Sequence, residues 1–234
     1  MNVTAALVQT LHRINRQKTD LKSQLDRGPK TVGAARAKLQ SAEDNVQRIR
    51  DSLTKAKMAA DAKQLQMKER EDKIHNLEGK LNAAKENREY QALKDQIAAD
   101  TQANLVLSDE ILEILESIDT IGVELEDANA QVLKMKDEFE RISKQVADRR
   151  VVLESELERV EADLVVAESE LTGDFKREYM RLVSVKGEDA MAGLEGKCCG
   201  GCYQNLTPQL LDRLSMQQPV ICPSCGRLVY QDRN

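Results

Sequence analysis

The sequence predicts a mainly α-helical protein: a long, kinked antiparallel coiled-coil hairpin followed by a small C-terminal domain that carries the cysteines. Three observations point there. Charged residues make up 32% of the 234 positions and aromatic residues only 3%, with no Trp, so a single large globular core lacks the bulky side chains to fill it. Proline and glycine are scarce, at 4 and 11, and the apolar residues are mostly Ala, Leu, Val and Ile, a balance that favours long helices. The first three quarters of the chain also keep a four-three apolar spacing, and four of the five cysteines fall in two close pairs near the C-terminus. The same composition argues against a large pocket-bearing enzyme.

The first arm carries one seam row of Val32, Leu39, Val46, Leu53, Ala60, Met67, Ile74 and Leu81, and a second of Ala35, Ala42, Ile49, Ala56, Lys63, Arg70, Leu77 and Ala84. The same phase runs back through Leu7, Leu11, Ile14, Lys18, Leu21 and Leu25 to Gly28. In the second arm the rows are Tyr90, Ile97, Asn104, Ile111, Ile118, Leu125, Val132, Phe139, Val146, Leu153, and Leu93, Asp100, Leu107, Ile114, Ile121, Ala128, Met135, Ile142, Arg149. Heptads sustained over this length, with charged flanks, are the signature of a coiled coil. Beyond Leu153 the seam shifts by four residues to Leu157, Val160, Leu164, Ala167 and Leu171, a stutter that locally unwinds a supercoil.

Gly28-Pro29 interrupts the first arm. Proline lacks an N–H and its ring presses on the carbonyl four residues back, so it either ends the helix, letting residues 3–27 fold back, or kinks it. The unbroken heptad phase favours the kink. Charge predicts how the arms pair. Residues 1–85 hold 18 basic and 10 acidic side chains, residues 86–172 hold 9 and 23, and residues 95–133 have ten acids and no Lys or Arg. A reversal near Glu86-Asn87 sets residue i opposite roughly 173 minus i, so the acids face Arg48, Arg50, Lys55, Lys57, Lys63, Lys68, Arg70 and Lys73. At ~1.5 Å per residue the expected hairpin is a rod of roughly 125 Å. It is read either as a spacer or as a surface for partner helices, and parallel dimerisation is the less favoured arrangement.

Gly173 ends the rod, giving divisions of 1–172, 173–196 and 197–234. A short helix from Asp174 to about Val185, with Phe175, Tyr179, Leu182 and Val183 on one side, leads to a strand over Asp189–Leu194.

Cys199-Gly200-Gly201-Cys202 and Cys222-Pro223-Ser224-Cys225-Gly226 then give two C-x2-C knuckles nineteen residues apart. Two intervening residues let one tight turn aim both sulfurs at one ion, and glycine supplies backbone conformations that other residues resist. This spacing predicts a tetrahedral site for one structural Zn²⁺ held by Cys199, Cys202, Cys222 and Cys225. A tail of about 38 residues is too short for a self-sufficient core, so a metal is the expected staple. Cys198 is an alternative ligand to Cys199 or a spare thiol. A dithiol redox pair is disfavoured, because no βαβ context surrounds it. Between the knuckles Thr207 caps a short helix with Pro208 at its first position and Leu206 stapled to Leu211; Leu210, Leu211 and Leu214 are core, Pro219 ends the stretch, and strands follow at Val220-Ile221 and Leu228-Val229-Tyr230.

Residues 197–234 carry a net charge of +2, from Lys197, Arg213, Arg227 and Arg233 against Asp212 and Asp232. Lys197, Tyr203, Arg213, Arg227 and Tyr230 are the candidate contacts for nucleic acid or a protein partner, cations for phosphates and rings for bases. His12 and His75 are read as isolated and solvated. Gly193 to Cys198 resembles the tail of a phosphate loop, with Met191 where its first glycine belongs. Asn205-Leu206-Thr207 matches a glycosylation pattern outside any secretory context. No apolar run reaches the ~18–20 residues that span a bilayer, and the N-terminal residues lack a secretory apolar stretch, so a soluble, cytoplasmic protein with no small-molecule substrate is expected.

Taken together the chain resembles the bacterial family with an N-terminal coiled-coil hairpin and a C-terminal four-cysteine zinc ribbon. The residues that carry the resemblance are the two knuckles, Leu206-Thr207-Pro208-Gln209, the run Gly226-Arg227-Leu228-Val229-Tyr230, and Asn87-Arg88-Glu89-Tyr90-Gln91-Ala92-Leu93 at the hairpin tip. Tyr203 stands where family members often place His. The resemblance implies a kinked helical hairpin, bound zinc, no catalysis, and partners that are RNA or transcription factors such as an alternative sigma factor.

Overall fold

In the computed structural model the protein is described over residues 4–231. Helix α1 spans Ala5–Ala83 and helix α2 Asn87–Ser169, joined by a three-residue turn at 84–86. Then come α3 (Gly173–Lys186), a 3-10 turn (Gly187–Ala190), β1 (Met191–Glu195), β2 (Cys198–Cys199), α4 (Pro208–Ser215), β3 (Val220–Ile221) and β4 (Leu228–Tyr230). Two long helices followed by a small strand region is the predicted fold class. Among the described residues no helix is long and apolar enough to cross a membrane.

The residues group into two compact units: Ala34–Arg141, and the segment up to Gly33 together with everything from Ile142 onward. Within Ala34–Arg141 the helices run antiparallel, with Lys63 bonded to Glu110, Lys73 Nζ 2.7 Å from Asp100 and Arg50 reaching Asn129 at 3.4 Å. These pairs meet the expected register, residue i opposite roughly 173 minus i, at Lys63–Glu110 and Lys73–Asp100, although few of the facing charges close into ion pairs. Asp100 (with Arg70 and Lys73) and Glu110 (with Lys63) are the acids of residues 95–133 that reach a base among the described residues. Exposed pairs give too little to hold long side chains in one geometry, and the seams do the holding. Val46, Ala60, Leu77, Leu107 and Ile111 are buried there.

In the other unit α1 runs unbroken through Gly28-Pro29, so residues 5–27 belong to the same helix as the rest of the first arm. Gly28 has a second role, one without a signal in the sequence. A Cβ at this position would lie 2.9 Å from Val146 Cγ1, so glycine lets α2 come close. Leu153 at the end of the unshifted row, and Val160, Leu164, Ala167 and Leu171 of the stuttered one, pack on Ala5, Val8, Leu11, Ile14 and Leu21 of α1, and Tyr179 and Leu182 of α3 join the same core. Asn15 is buried among them, and its amide donates to Leu11 O (2.9 Å) and to the Tyr179 hydroxyl (3.0 Å), which itself donates to Glu168 (3.0 Å). Burial pushes the Tyr179 phenol well above its ordinary range.

The small domain is a four-stranded sheet in the order β2-β1-β4-β3, with β1 parallel to β4 and the other pairs antiparallel. The expected strand over Asp189–Leu194 begins later, at Met191, because Gly187–Ala190 coil into the 3-10 turn. Side chains alternate across the sheet. Met191, Leu228 and Tyr230 face the helical core, while Ala192 and Val229 face a second core of Cys199, Leu206, Leu214, Val220 and Cys222. Thr207 holds the N-cap position of α4 in an extended conformation, but its side chain makes no capping bond. Leu206, Leu210, Leu211 and Leu214 all pack into the second core as expected.

Candidate metal centre

The four predicted ligand sulfurs converge. The Sγ atoms of Cys199, Cys202, Cys222 and Cys225 all lie within 4.8 Å of one another, with Cys199 to Cys225 at 3.8 Å and Cys202 to Cys222 at 3.7 Å. Four Zn–S bonds of ~2.3 Å in a tetrahedron set sulfurs about 3.8 Å apart, so the donor set fits zinc in both chemistry and size. Once bound, zinc supplies four thiolate bonds that tie the two knuckles together.

Each knuckle turns on one pattern. In the first, Tyr203 N–H donates to Cys199 O at 2.8 Å; in the second, Gly226 N–H donates to Cys222 O at 2.8 Å. Both residues, one place after the second cysteine, take the left-handed region, at φ 60° for Tyr203 and 71° for Gly226. Gly226 is thus a conformational glycine as predicted, whereas Gly200 and Gly201 serve close approach. A Cβ on Gly200 would sit 2.6 Å from Gly193 O, and one on Gly201 2.4 Å from Arg227 Cδ.

The thiols do not share one environment. Burial pushes Cys199 up to about 12 despite the amides of Gly201 and Cys202 that point at its sulfur. Burial also opposes ionisation of Cys225. The Arg227 amide, Cys202, the Arg227 guanidinium and Cys222 outweigh it and draw that thiol down to about 6. Amides and a guanidinium directed at sulfur favour the thiolate that a metal needs.

Cys198 stays outside the cluster. In β2 alternate side chains face opposite ways, so Cys199 is fully buried while Cys198 turns out and donates to Asn205 Oδ1 at 3.1 Å. This makes it the spare thiol of the two alternatives.

Two of the five candidate contacts point inward. Arg227 Nε donates to Asp189 O (2.8 Å), Nη1 to Gly201 O (2.9 Å) and Nη2 to Asp189 Oδ1 (3.1 Å), so it bolts the first knuckle and the 3-10 turn to the second knuckle. Tyr230 is 7% exposed, with its hydroxyl 2.9 Å from His12 Nδ1 and the two rings edge-on at 5.7 Å. His12 is therefore half-buried against β4, unlike the isolated, solvated side chain expected. His75 is solvated, its nearest carboxylate Glu78 at 3.9 Å. Lys197, Tyr203 and Arg213 are exposed, and Arg213 lines a groove with Asp174, Glu178, Phe175, Leu182, Leu210 and Ile221. Arg233 and Asp232, counted in the charge of this domain, lie outside the described residues. Neither Asp189 nor His12 carried a signal in sequence, because their partners lie 38 and 218 residues away.

Residues 198–229 match the C4-type zinc ribbon domain. The four cysteines of this ribbon are the converging set just described. No match was found among the curated proteins. Among solved structures the chain is similar to CT398 from Chlamydia trachomatis, at 17% identity over 97% of this chain and 98% of that one, with a TM-score of 0.82. It is also similar to HP0958 from Helicobacter pylori (14% identity, all of both chains, TM-score 0.66). A third similar structure, from Mycobacterium smegmatis, has 16% identity over 99% of this chain and all of that one, with a TM-score of 0.61. At these identities the likeness is one of fold, and it extends the comparison from the ribbon to the helices.

Proposed function

We propose that this protein is a non-catalytic, cytoplasmic adaptor that binds other proteins through its helices and its zinc ribbon. The closed ligand set supports the first part. Four thiolates complete a tetrahedron and leave no coordination position for water or substrate, the pattern of a structural site. The observation that carries the choice of protein over nucleic acid is the distribution of surface charge. Arg227 and Tyr230 are used internally, whereas α2 exposes carboxylates and large apolar side chains within Ala34–Arg141. Phosphate-rich partners are repelled by such a surface, and protein partners are suited to it. A transcription component such as a sigma factor is the partner class implied by the sequence resemblance.

One observation favours a second reading, RNA or DNA contact by the ribbon. Tyr203 is 69% exposed on the first knuckle, and Lys197 and Arg213 are exposed in the same small domain. Crosslinking in cells, with bound RNA and bound protein identified separately, tests both. Protein without RNA is the expected outcome. RNA recovered in a salt-sensitive complex that Tyr203→Ala and Lys197→Ala abolish would replace the first reading with the second.

A further inference from the structure

The outward side of α2 between Leu105 and Val123 is anomalous for a coiled-coil arm. Leu105, Leu112, Leu115 and Val123 are 56%, 57%, 40% and 62% exposed. At 3.6 residues per turn these four fall within an arc of roughly 80° over about 27 Å of helix; Leu105, Leu112 and Val123 lie well away from the seam of Leu107, Ile111, Ile114, Ile118 and Ile121, and Leu115 borders it. Asp109, Glu113, Glu116, Asp119, Glu124, Glu126 and Asp127 are also exposed. By the same geometry Asp119 and Glu126 interleave with the apolar stripe and the other five line one edge of it, while the seam borders the other. Among the described residues none of these seven carboxylates belongs to an ion pair, so the acidity of this arm is not used up by α1.

We infer that this face docks a basic amphipathic helix of a partner protein. The inference rests on the adaptor reading above and assigns that adaptor a surface and a partner chemistry. The apolar stripe offers a helix-long strip for leucine-like side chains, and unpaired carboxylates within it and along one edge select Lys or Arg on the incoming helix. A second copy of the chain meets only half of this requirement. Its α1 is basic, but within Ala34–Ala83 the large side chains it exposes, among the described residues, are Met58 and Leu65. Nucleic acid and anionic lipid present phosphates, which the carboxylates repel.

The test uses the full-length, zinc-loaded protein and a labelled amphipathic Leu/Lys peptide of about 18 residues, with a shuffled peptide of the same composition as control. The amphipathic peptide is expected to bind about tenfold more tightly than the shuffled one. Leu112→Gln with Leu115→Gln should remove that advantage without changing helix content by circular dichroism. The affinity should also weaken several-fold between about 0.05 and 0.3 M salt. Equal affinity for both peptides, or indifference to the double substitution, overturns the inference. So does a dimer that the double substitution dissociates, since the occupant is then a second copy. A photo-crosslinker at Glu116, compared with one at Gln204 on the ribbon, separates the two levels. Protein captured only from Gln204, or RNA captured at Glu116, sinks this surface and leaves the adaptor reading to its own test. Nothing captured at either position sinks both.

Discussion

The ribbon and the Ala34–Arg141 hairpin solve the same stability problem in opposite ways. The ribbon's strands are two to five residues long, and its second core is seven buried residues, two of them metal-ligand cysteines. So few apolar contacts cannot offset the conformational entropy of ordering the loops between them, and the deficit falls to one ion. The hairpin has no such centre. Its stability is spread along heptad after heptad, each contributing one small layer of Val, Ala, Leu or Ile. Concentrated stability makes a sharp failure, and distributed stability a graded one.

Metal removal exploits the difference most fully. Structural zinc is worth on the order of 10 kcal/mol in small modules, more than a ribbon of this size holds otherwise. Chelation, or Cys222→Ser, should unfold the ribbon while far-UV circular dichroism keeps most of its helical signal. Trypsin gives the local readout, with cleavage at Lys197, Arg213 and Arg227 appearing only after chelation. A chelated ribbon that stays protected would remove the distinction between the two regions.

Arg227→Ala is the next largest effect. It leaves the carbonyl of Gly201 and the Asp189 side chain without their guanidinium donor and strips a cation from beside Cys225. A loss of about 2–3 kcal/mol is expected, together with faster zinc exchange to a competing chelator. A partner-contact role alone would leave the exchange rate unchanged.

How far the sequence revealed these regions depends on the range of the interactions involved. The heptad rows announce α1 and α2 because a coiled coil repeats one local rule, and the two C-x2-C spacings announce the zinc ligands because a knuckle is a local turn. Arg227, Tyr230 and His12 have partners far along the chain that no local pattern shows, and in sequence an arginine with an internal partner looks like one awaiting phosphate. β2 is too short to show alternation, and it was legible only once β1 was beside it. The acidic run of α2 is plain in the sequence, and so is the register in which α1 faces it. Only the folded hairpin distinguishes the two acids that reach a base from those left facing water.

The hairpin has a local flaw of its own. Asn104 stands in a seam row, and its Oδ1 is buried with no hydrogen-bond partner among the described residues. A buried amide at such a position specifies register at a cost in stability. Asn104→Ile should stabilise the hairpin by about 1–2 kcal/mol, read as slower hydrogen exchange along residues 90–120 and unchanged exchange in the ribbon. Equal slowing in both regions would mean that the two share one cooperative transition.

The smallest effect is electrostatic and carries a sign. Glu161 lies 3.2 Å from Lys18 and 3.3 Å from Lys22, and hydrogen bonding to Lys18 holds its carboxyl below the ordinary glutamate value of 4.5, against a small opposing effect of burial. A folded-state pKa below the unfolded one stabilises the fold above the unfolded value, and that share disappears as pH falls through the folded value. Water screens the pair, since the Glu161 side chain is 42% exposed, so the contribution at neutral pH is well under 1 kcal/mol. Glu161→Gln should therefore cost a few tenths of a kcal/mol at pH 7 and progressively less as pH falls below 4.5, with the neutral-pH difference shrinking in high salt. An equal loss at pH 7 and at acid pH would instead assign Glu161 a packing role.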